Sequence, residues 1–351
     1  MSEQTYNDLR KQKSQTLSTR KRLDQSAGEW EEICLSIQSR GRRAPLSARC
    51  LRYLSVYGSL WLLALPALAL LVAFSYIPMA GLVIVFKEYD FLKGIWASPW
   101  VGFKNFEFFF YNMGNALRAT KNTLFLNALN MFFSTLVSIS LAIMFSEIRS
   151  RRYLKVTQTI SIFPHFLSWA VVGGIATAFL SFDKGMINNL ILAFGGERLD
   201  LYNTAAYWPA ILTVFNVWKG AGYSAIVYYA TISGFDTSYF EAAEVDGATL
   251  WQRIIHITLP MLAPTICILT LMSVGRIFYG DLSMMMSMHN LNPMLYETTD
   301  IIDTFVYRSI TQLGDYSMSS AVSLYQSLFG FILVLLSNYI VGKFSPESRL
   351  F

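Results

Sequence analysis

One polar stretch between two apolar segments has the most distinctive residue types and spacing in the chain. Ser238 and Glu241 have the spacing of a capping box, which predicts that a helix begins near Ser238. Glu241 then lies in the first turn, where the helix dipole favours a carboxylate. Ala242 and Ala243 leave a low surface that another molecule can approach closely.

A bend and a second helix are predicted to follow. Asp246 and Gly247 form a turn or helix C-cap signal, because glycine adopts left-handed backbone without steric cost. Residues 248–258 have a helical composition, and Pro260 suits the first turn of a further helix. The stretch is therefore predicted to be helix, glycine bend and helix, forming a compact knob that joins two hydrophobic spans.

The composition of the whole chain indicates a membrane protein. Of its 351 residues 54% are hydrophobic and 15% are charged, whereas soluble domains carry about a quarter charged residues. Apolar runs near twenty residues mark membrane spans. The sequence predicts an all-α polytopic membrane protein with six transmembrane helices, at about 57–85, 122–145, 157–180, 207–232, 260–279 and 320–341. The three cysteines have neither disulfide nor metal-site spacing.

Composition also divides the chain into four parts. Residues 1–53 are basic and lack the apolar core of a signal peptide, so they are expected to form a cytoplasmic segment. Residues 54–121 hold the first transmembrane helix and an aromatic outer segment. Residues 122–342 form a five-helix core that contains the polar loop at 234–260, and residues 343–351 form a cytoplasmic tail.

The distribution of positive charge predicts the orientation in the membrane. With six spans both termini lie on one side, and that side together with the polar loop holds eighteen of the 28 Lys and Arg residues. Positive residues concentrate on the cytoplasmic face of membrane proteins. Both termini and the polar loop are therefore predicted to be cytoplasmic.

The sequence offers no motif that would supply energy or catalysis. It lacks the glycine-rich phosphate loop that ends in Gly-Lys-Ser/Thr. A glycine pattern at 220–225 matches the dinucleotide fingerprint on paper, but it lies inside a predicted span. No carboxylate pair lies mid-span, as a proton-driven carrier would often require. We expect a non-enzymatic chain that binds no cofactor, metal or nucleic acid and takes its energy from a partner.

The polar stretch resembles the EAA loop of ABC importer permeases, in which Glu-Ala-Ala is followed by Gly and by Ile-x-Leu-Pro. All landmarks are present at the family spacing: Glu241, Ala242, Ala243, Gly247, Ile257, Leu259 and Pro260. Residues 100–351 resemble the MalF-type permease of type I importers, in the LplB-like branch that handles oligo- and polysaccharides. Segments 163–169, 216–224 and 300–308 also resemble that branch, whereas the methionine-rich segment 280–290 departs from it.

This resemblance implies a subunit of the bacterial cytoplasmic membrane that forms half of a path for an oligo- or polysaccharide. The implied partners are a second permease, two ATPase subunits that bind ATP and Mg, and an extracytoplasmic solute-binding protein. Five loop residues would couple to the ATPase: Glu241, Ala242, Ala243, Asp246 and Gly247. The alternatives are a permease for an amino acid or peptide, or a secondary carrier.

Candidate substrate contacts come from charged and aromatic residues within the predicted spans. Lys219 and Arg276 are candidates because charge is costly in lipid, and Trp218, Tyr223 and Tyr279 accompany them. Cations on a sugar path would suit an acidic saccharide, although a neutral sugar stays open. In the alternative interpretation Lys219 snorkels or pairs with a helix carbonyl, while Arg276 pairs with an aspartate near the outer edge, Asp281.

Overall fold

The computed structural model describes residues 61–111 and 113–344, and the side chains of 61–107 and 114–343. The basic segment predicted at 1–53 and most of the tail predicted at 343–351 lie outside the described residues. The chain divides into two compact units between Pro78 and Met79. In the first unit the described residues are helical and almost fully exposed, as expected of an apolar helix whose surroundings are lipid or protein.

The described residues are helical nearly throughout, and Lys87 and Trp100 pair in an isolated antiparallel bridge. The helices are α1 (Trp61–Phe86), α2 (Gly94–Ala97), α3 (Lys104–Tyr111), α4 (Met113–Ser146), α5 (Arg151–Ile162), α6 (Trp169–Leu180), α7 (Met186–Ala193), α8 (Trp208–Ser233), α9 (Ser238–Val245), α10 (Leu250–Arg253), α11 (Leu259–Val274), α12 (Leu282–His289), α13 (Tyr296–Thr299), α14 (Ile302–Leu313) and α15 (Tyr316–Phe344). A π-helical turn, Ile254–Thr258, joins α10 to α11. The prediction of an all-α fold is confirmed.

Five helical stretches among the described residues are long and apolar enough to cross a membrane. These stretches are Trp61–Phe86, Gly114–Ser146, Ala205–Ser233, Leu250–Val274 and Tyr316–Lys343. The pair formed by residues 151–166 and 169–180 makes a sixth span if the two halves are counted together. The fold is therefore that of a polytopic membrane protein.

The third predicted span, 157–180, is not one continuous helix as the hydropathy suggested. Its two halves are bent by 98° at a break between Phe166 and Trp169. Pro164 lies in the 3₁₀ turn before the break, where its ring has no N–H to continue the helical ladder. Leu167 is extended, and Ser168 then caps α6 by accepting from the amide of Val171. Hydropathy averaged over the segment does not register this bend.

Two glycines mark the closest approaches between helices. A Cβ atom on Gly222 of α8 would overlap the main-chain carbonyl of Ser161 on α5, and one on Gly173 of α6 would overlap that of Ser287 on α12. Small residues permit such contacts between membrane helices. Within the glycine pattern at 220–225, Gly222 is thus a packing position of α8.

The segment 280–319, predicted as a long outer loop, contains α12, α13 and α14. Three of its clustered methionines, Met284, Met285 and Met288, are buried in a core with Trp208 and Val172. Methionine fits irregular spaces between helices because its side chain is flexible and polarisable. The methionine-rich sequence therefore packs segment 280–319 onto α6 and α8.

A buried carboxylate connects segment 280–319 to α4. Asp300 has a fully buried side chain that forms ion pairs with Arg118 at 3.3 Å and with Arg308 at 2.8 Å. Thr304 donates a further hydrogen bond to Asp300, and the Arg308 guanidinium lies 4.2 Å from the ring centroid of Tyr296. One carboxylate thus binds two guanidinium groups, from α4 and from α14.

Candidate coupling loop and translocation site

The first arm of the polar loop is α9, which begins at Ser238. The predicted capping box between Ser238 and Glu241 is wrong, because Ser238 is itself helical and Thr237 before it makes no side-chain cap. The Oδ1 atom of Asp236 instead accepts from the amide of Ser238 at 2.9 Å. Glu241 lies in the first turn as predicted, and its side chain is exposed.

The bend at Gly247 has the geometry of a Schellman motif. Gly247 has a φ of 77°, and its amide donates to the Glu244 carbonyl at 3.1 Å. The amide of Ala248 donates to the Ala243 carbonyl at 2.9 Å. This pattern ends a helix with a left-handed residue, which is normally glycine. The predicted turn at Gly247 is confirmed.

A capping box that was not predicted begins the second arm, α10. The Thr249 hydroxyl accepts from the Gln252 amide at 3.4 Å, and the Gln252 side chain accepts from the Thr249 amide at 2.7 Å. The threonine–glutamine spacing was visible in the sequence and would have predicted it. Local bonds therefore set both ends of the bend.

The two arms enclose an open cleft of about 350 Å³. Its lining includes Ala243, Asp246 and Gly247 from the first arm and bend, and Gln252, Arg253 and His256 from the second. Of the predicted coupling residues, Glu241, Ala242, Asp246 and Gly247 are exposed, and Ala243 is half-buried. The loop is thus a projecting knob with a polar cleft.

A second group of polar and aromatic residues surrounds the break between α5 and α6. The Lys219 ammonium of α8 donates to the main-chain carbonyl of His165 at 2.9 Å and lies 5.3 Å from the ring centroid of Trp169. The rings of His165 and Tyr223 stack with centroids 4.5 Å apart. Trp218 and Tyr223 are exposed. The structure therefore groups Lys219 and Tyr223 on α8 beside the broken span, whereas the Trp218 ring contacts that of Phe215 on the same helix at 6.4 Å.

The break is also connected to segment 280–319 through Asp281. The indole N–H of Trp169 donates to the Oδ2 atom of Asp281, whose Oδ1 atom accepts from the amide of Met284 at 3.0 Å. The pairing of Arg276 with Asp281 that we considered is therefore not formed. His165, Trp169 and Asp281 were missed as site residues, because only the fold brings them to Lys219.

Arg276 and Tyr279 lie on the non-helical segment that follows α11. Arg276 is exposed and its side chain has no hydrogen bond or ion pair within the described part of the chain. The Tyr279 hydroxyl bonds Ser327 of α15 at 2.7 Å, and Asn127 of α4 donates to the Tyr279 carbonyl at 2.9 Å. Among the described residues no bond or ring contact joins this pair to the Lys219 group.

An all-α membrane protein with broken and continuous spans and a projecting helix–bend–helix knob has the architecture of an importer permease. Residues 134–346 match the family described as binding-protein-dependent transport system inner membrane component, and the chain belongs to this family of ABC importer permeases. The resemblance seen in the sequence is confirmed. The same assignment supports an ABC permease and not a secondary carrier.

The relatives lie in the branch that the sequence indicated. The chain is 36% identical over 288 residues to protein LplB of Bacillus subtilis (strain 168), covering 82% of this chain and 90% of that protein. It has the same identity over 288 residues to the polygalacturonan/rhamnogalacturonan transport system permease protein YteP of that organism, covering 82% and 89%.

A solved structure has the same fold. It is a chain of a bacterial ABC transporter involved in the import of the acidic polysaccharide alginate, with a TM-score of 0.77 and 33% identity. The match covers 85% of this chain and 99% of that chain. The fold of the described residues is therefore shared across nearly the whole of a known permease.

Proposed function

We propose that this chain is one of two permease subunits in an ATP-driven importer of acidic oligosaccharides. The observation that carries the proposal is Lys219, whose ammonium lies beside the broken span without a carboxylate partner among the described residues. A cation in a low-dielectric site interacts strongly with an anion that reaches it. The Trp169 ring lies 5.3 Å from the ammonium and the exposed Tyr223 ring stacks on His165, and both rings suit contact with sugar rings.

The relatives support an acidic substrate in particular. The name of YteP gives polygalacturonan and rhamnogalacturonan, and the solved transporter imports alginate, an acidic polysaccharide. A more distant relative, the lactose transport system permease protein LacF of Rhizobium radiobacter, is 30% identical over 233 residues and keeps a neutral sugar as the second candidate. The cation at Lys219 favours the acidic substrate of the two.

We further propose that the knob couples the chain to a cytoplasmic ATPase, which binds ATP and Mg and performs all hydrolysis. Glu241, Ala242, Ala243, Asp246 and Gly247 would dock in a groove on that ATPase, and both termini of the permease would share its side of the membrane. A solute-binding protein would deliver the saccharide from the other side. The exposed first turn of α9 and the left-handed bend support this role.

The substrate proposal is tested on the full assembly, reconstituted in liposomes with its second permease, ATPase subunits and binding protein. ATP hydrolysis is titrated with matched panels of neutral and uronic-acid oligosaccharides. We expect stimulation by the acidic panel, and Lys219→Met and Arg276→Ala to raise the half-saturating concentration for that panel alone. Stimulation by neutral sugars only, with both variants indifferent, would overturn the acidic assignment.

A further inference from the structure

We propose that the cleft inside the knob is a socket for a carboxylate side chain of the ATPase, and that Arg253 is the residue that binds it. The inference rests on the proposed coupling to an ATPase and adds the chemistry of the contact. In this proposal the knob inserts into a groove of the ATPase and also accepts an ATPase side chain between its own two arms.

The shape of the cleft permits such an insertion. Its volume of about 350 Å³ exceeds that of a single large side chain. Ala243 contributes only a methyl group to the lining, and Gly247 contributes no side chain at all. The Schellman bend holds these two small residues at the cleft, so a partner side chain can pass between the arms without displacing one of the knob's own.

Arg253 lies in this cleft with its hydrogen-bonding capacity unused. Its side chain is only 24% exposed, and the Nη1 atom is 3.8 Å from the Oε2 atom of Glu244, which is too long for a hydrogen bond. The Nε atom is buried and has no partner within the described residues. Buried donors are normally bonded, and one on a charged group is especially costly to leave unpaired.

The chemistry of the guanidinium identifies the occupant. A guanidinium presents parallel N–H groups that match the two oxygens of a carboxylate, and this charge-assisted pair is stronger than a bond to a neutral acceptor. Asp246, also on the cleft, is exposed to solvent, whereas Arg253 is largely buried. An incoming carboxylate therefore meets a solvent-screened negative charge outside and, inside, a guanidinium whose ion pair with the exposed Glu244 is long at 3.8 Å.

If Arg253 had only a structural role, it would exert it through its contact with Glu244. A variant of Glu244 is therefore the matched control. Arg253→Gln removes the proposed ligand, and Glu244→Gln removes only the contact within the knob. We expect Arg253→Gln to weaken retention of the ATPase by detergent-solubilised permease roughly ten-fold or more and to lower transport per ATP hydrolysed, because a buried charge pair loses one partner. Glu244→Gln should match the wild type, and Arg253→Lys should recover part of the binding.

Each outcome decides the point. Equal losses in Arg253→Gln and Glu244→Gln, with equal falls in melting temperature, would show that Arg253 only stabilises the knob. If Arg253→Gln retained the ATPase as well as the wild type does, the socket would be overturned. If Glu241→Lys still weakened retention in that case, the proposed coupling function would stand. A wild-type permease that retains no ATPase would instead overturn the proposed coupling itself.

Discussion

The Lys219 ammonium donates to the main-chain carbonyl of His165, which has lost its helical hydrogen bond at the break. In a continuous α-helix that oxygen would accept from the amide four residues later, at Trp169. The 98° bend separates the two, and Lys219 donates to the carbonyl at 2.9 Å from α8. The interpretation in which Lys219 pairs with a helix carbonyl is therefore confirmed, and the same side chain remains the proposed ligand for acidic sugars.

Replacement of Lys219 should therefore lower stability as well as transport. Lys219→Met leaves a half-buried carbonyl without its donor, which costs about 1–3 kcal/mol. The measurement is thermal unfolding of the purified protein in detergent. Lys184→Met, at an exposed lysine, is the control and should leave the melting temperature unchanged. Equal melting temperatures for the two variants would contradict a bracing role for Lys219.

Two neighbouring glycines on α8 should respond in opposite ways to alanine. Gly222→Ala places a methyl group on the Ser161 carbonyl and must separate α8 from α5, at a cost of roughly 1–3 kcal/mol. Gly220 has open space at the same atom, so Gly220→Ala should be neutral or stabilise the helix by up to about 1 kcal/mol. Melting temperatures of the two variants test this, and similar values would count against the α5–α8 contact.

The bend of the knob should be sensitive to any side chain at Gly247. With a φ of 77°, Gly247→Ala is strained by about 1–2 kcal/mol although space is available for the methyl group. We expect the variant to insert in the membrane normally but to transport less sugar for each ATP hydrolysed. Gly234→Ala, at a glycine with a φ of −90°, is the control. Unchanged coupling in Gly247→Ala would show that the bend tolerates distortion.

Removal of the buried Asp300 carboxylate should strongly destabilise segment 280–319. Asp300→Ala leaves Arg118 and Arg308 without a counter-charge, and breaking a buried ion pair in this way costs about 3–5 kcal/mol. Glu88→Ala removes an exposed pair with Lys104, for which we expect less than about 1 kcal/mol. Chemical unfolding of both variants measures the difference, and comparable losses would refute the central role of Asp300.

His289 should make stability depend on pH. Burial lowers the pKa of His289 from 6.5 to about 4, and its ring packs 4.9 Å from that of Trp208. The unfolded chain therefore binds the proton more readily, so stability falls as pH falls from about 6.5 towards 4, by up to about 3 kcal/mol.

The variant His289→Leu should flatten the part of the pH dependence that lies between pH 6.5 and pH 4. Melting temperatures at a series of pH values measure this, with His256→Leu as the control at an exposed histidine. If His289→Leu retained the wild-type slope, other groups would account for the acid sensitivity.

Local patterns predicted the features that depend on neighbouring residues. The continuous spans follow from hydropathy, because apolar helices must match the membrane. The bend at Gly247 follows from one residue's backbone freedom, and the EAA spacing identified the family. The break at residues 166–169 was not predicted, because apolar residues flank it on both sides, although Pro164 inside the predicted span was a local signal for it.

Contacts between distant segments could not be predicted from spacing. Lys219 and His165 are 54 residues apart, and Arg118 and Asp300 are 182 apart. Segment 280–319 was predicted to be a loop because polar residues are scattered through it, and the sequence does not indicate which of its side chains are buried. Arg253 looked like an ordinary surface charge until the bend placed it in a cleft.

The N-cap at Ser168 has a consequence for how the proposed translocation path would distinguish charged from neutral substrates. It begins a new helix at Trp169, whose first amides carry a partial positive charge close to the Lys219 ammonium. In an intact span those amides would bond to carbonyls of the preceding turn, so the break adds a helix N-terminus to the segment that Lys219 contacts. In the proposed path this arrangement would favour a uronate over a neutral sugar of equal size, and the Asp281 carboxylate bonded to the Trp169 indole would offset part of that preference.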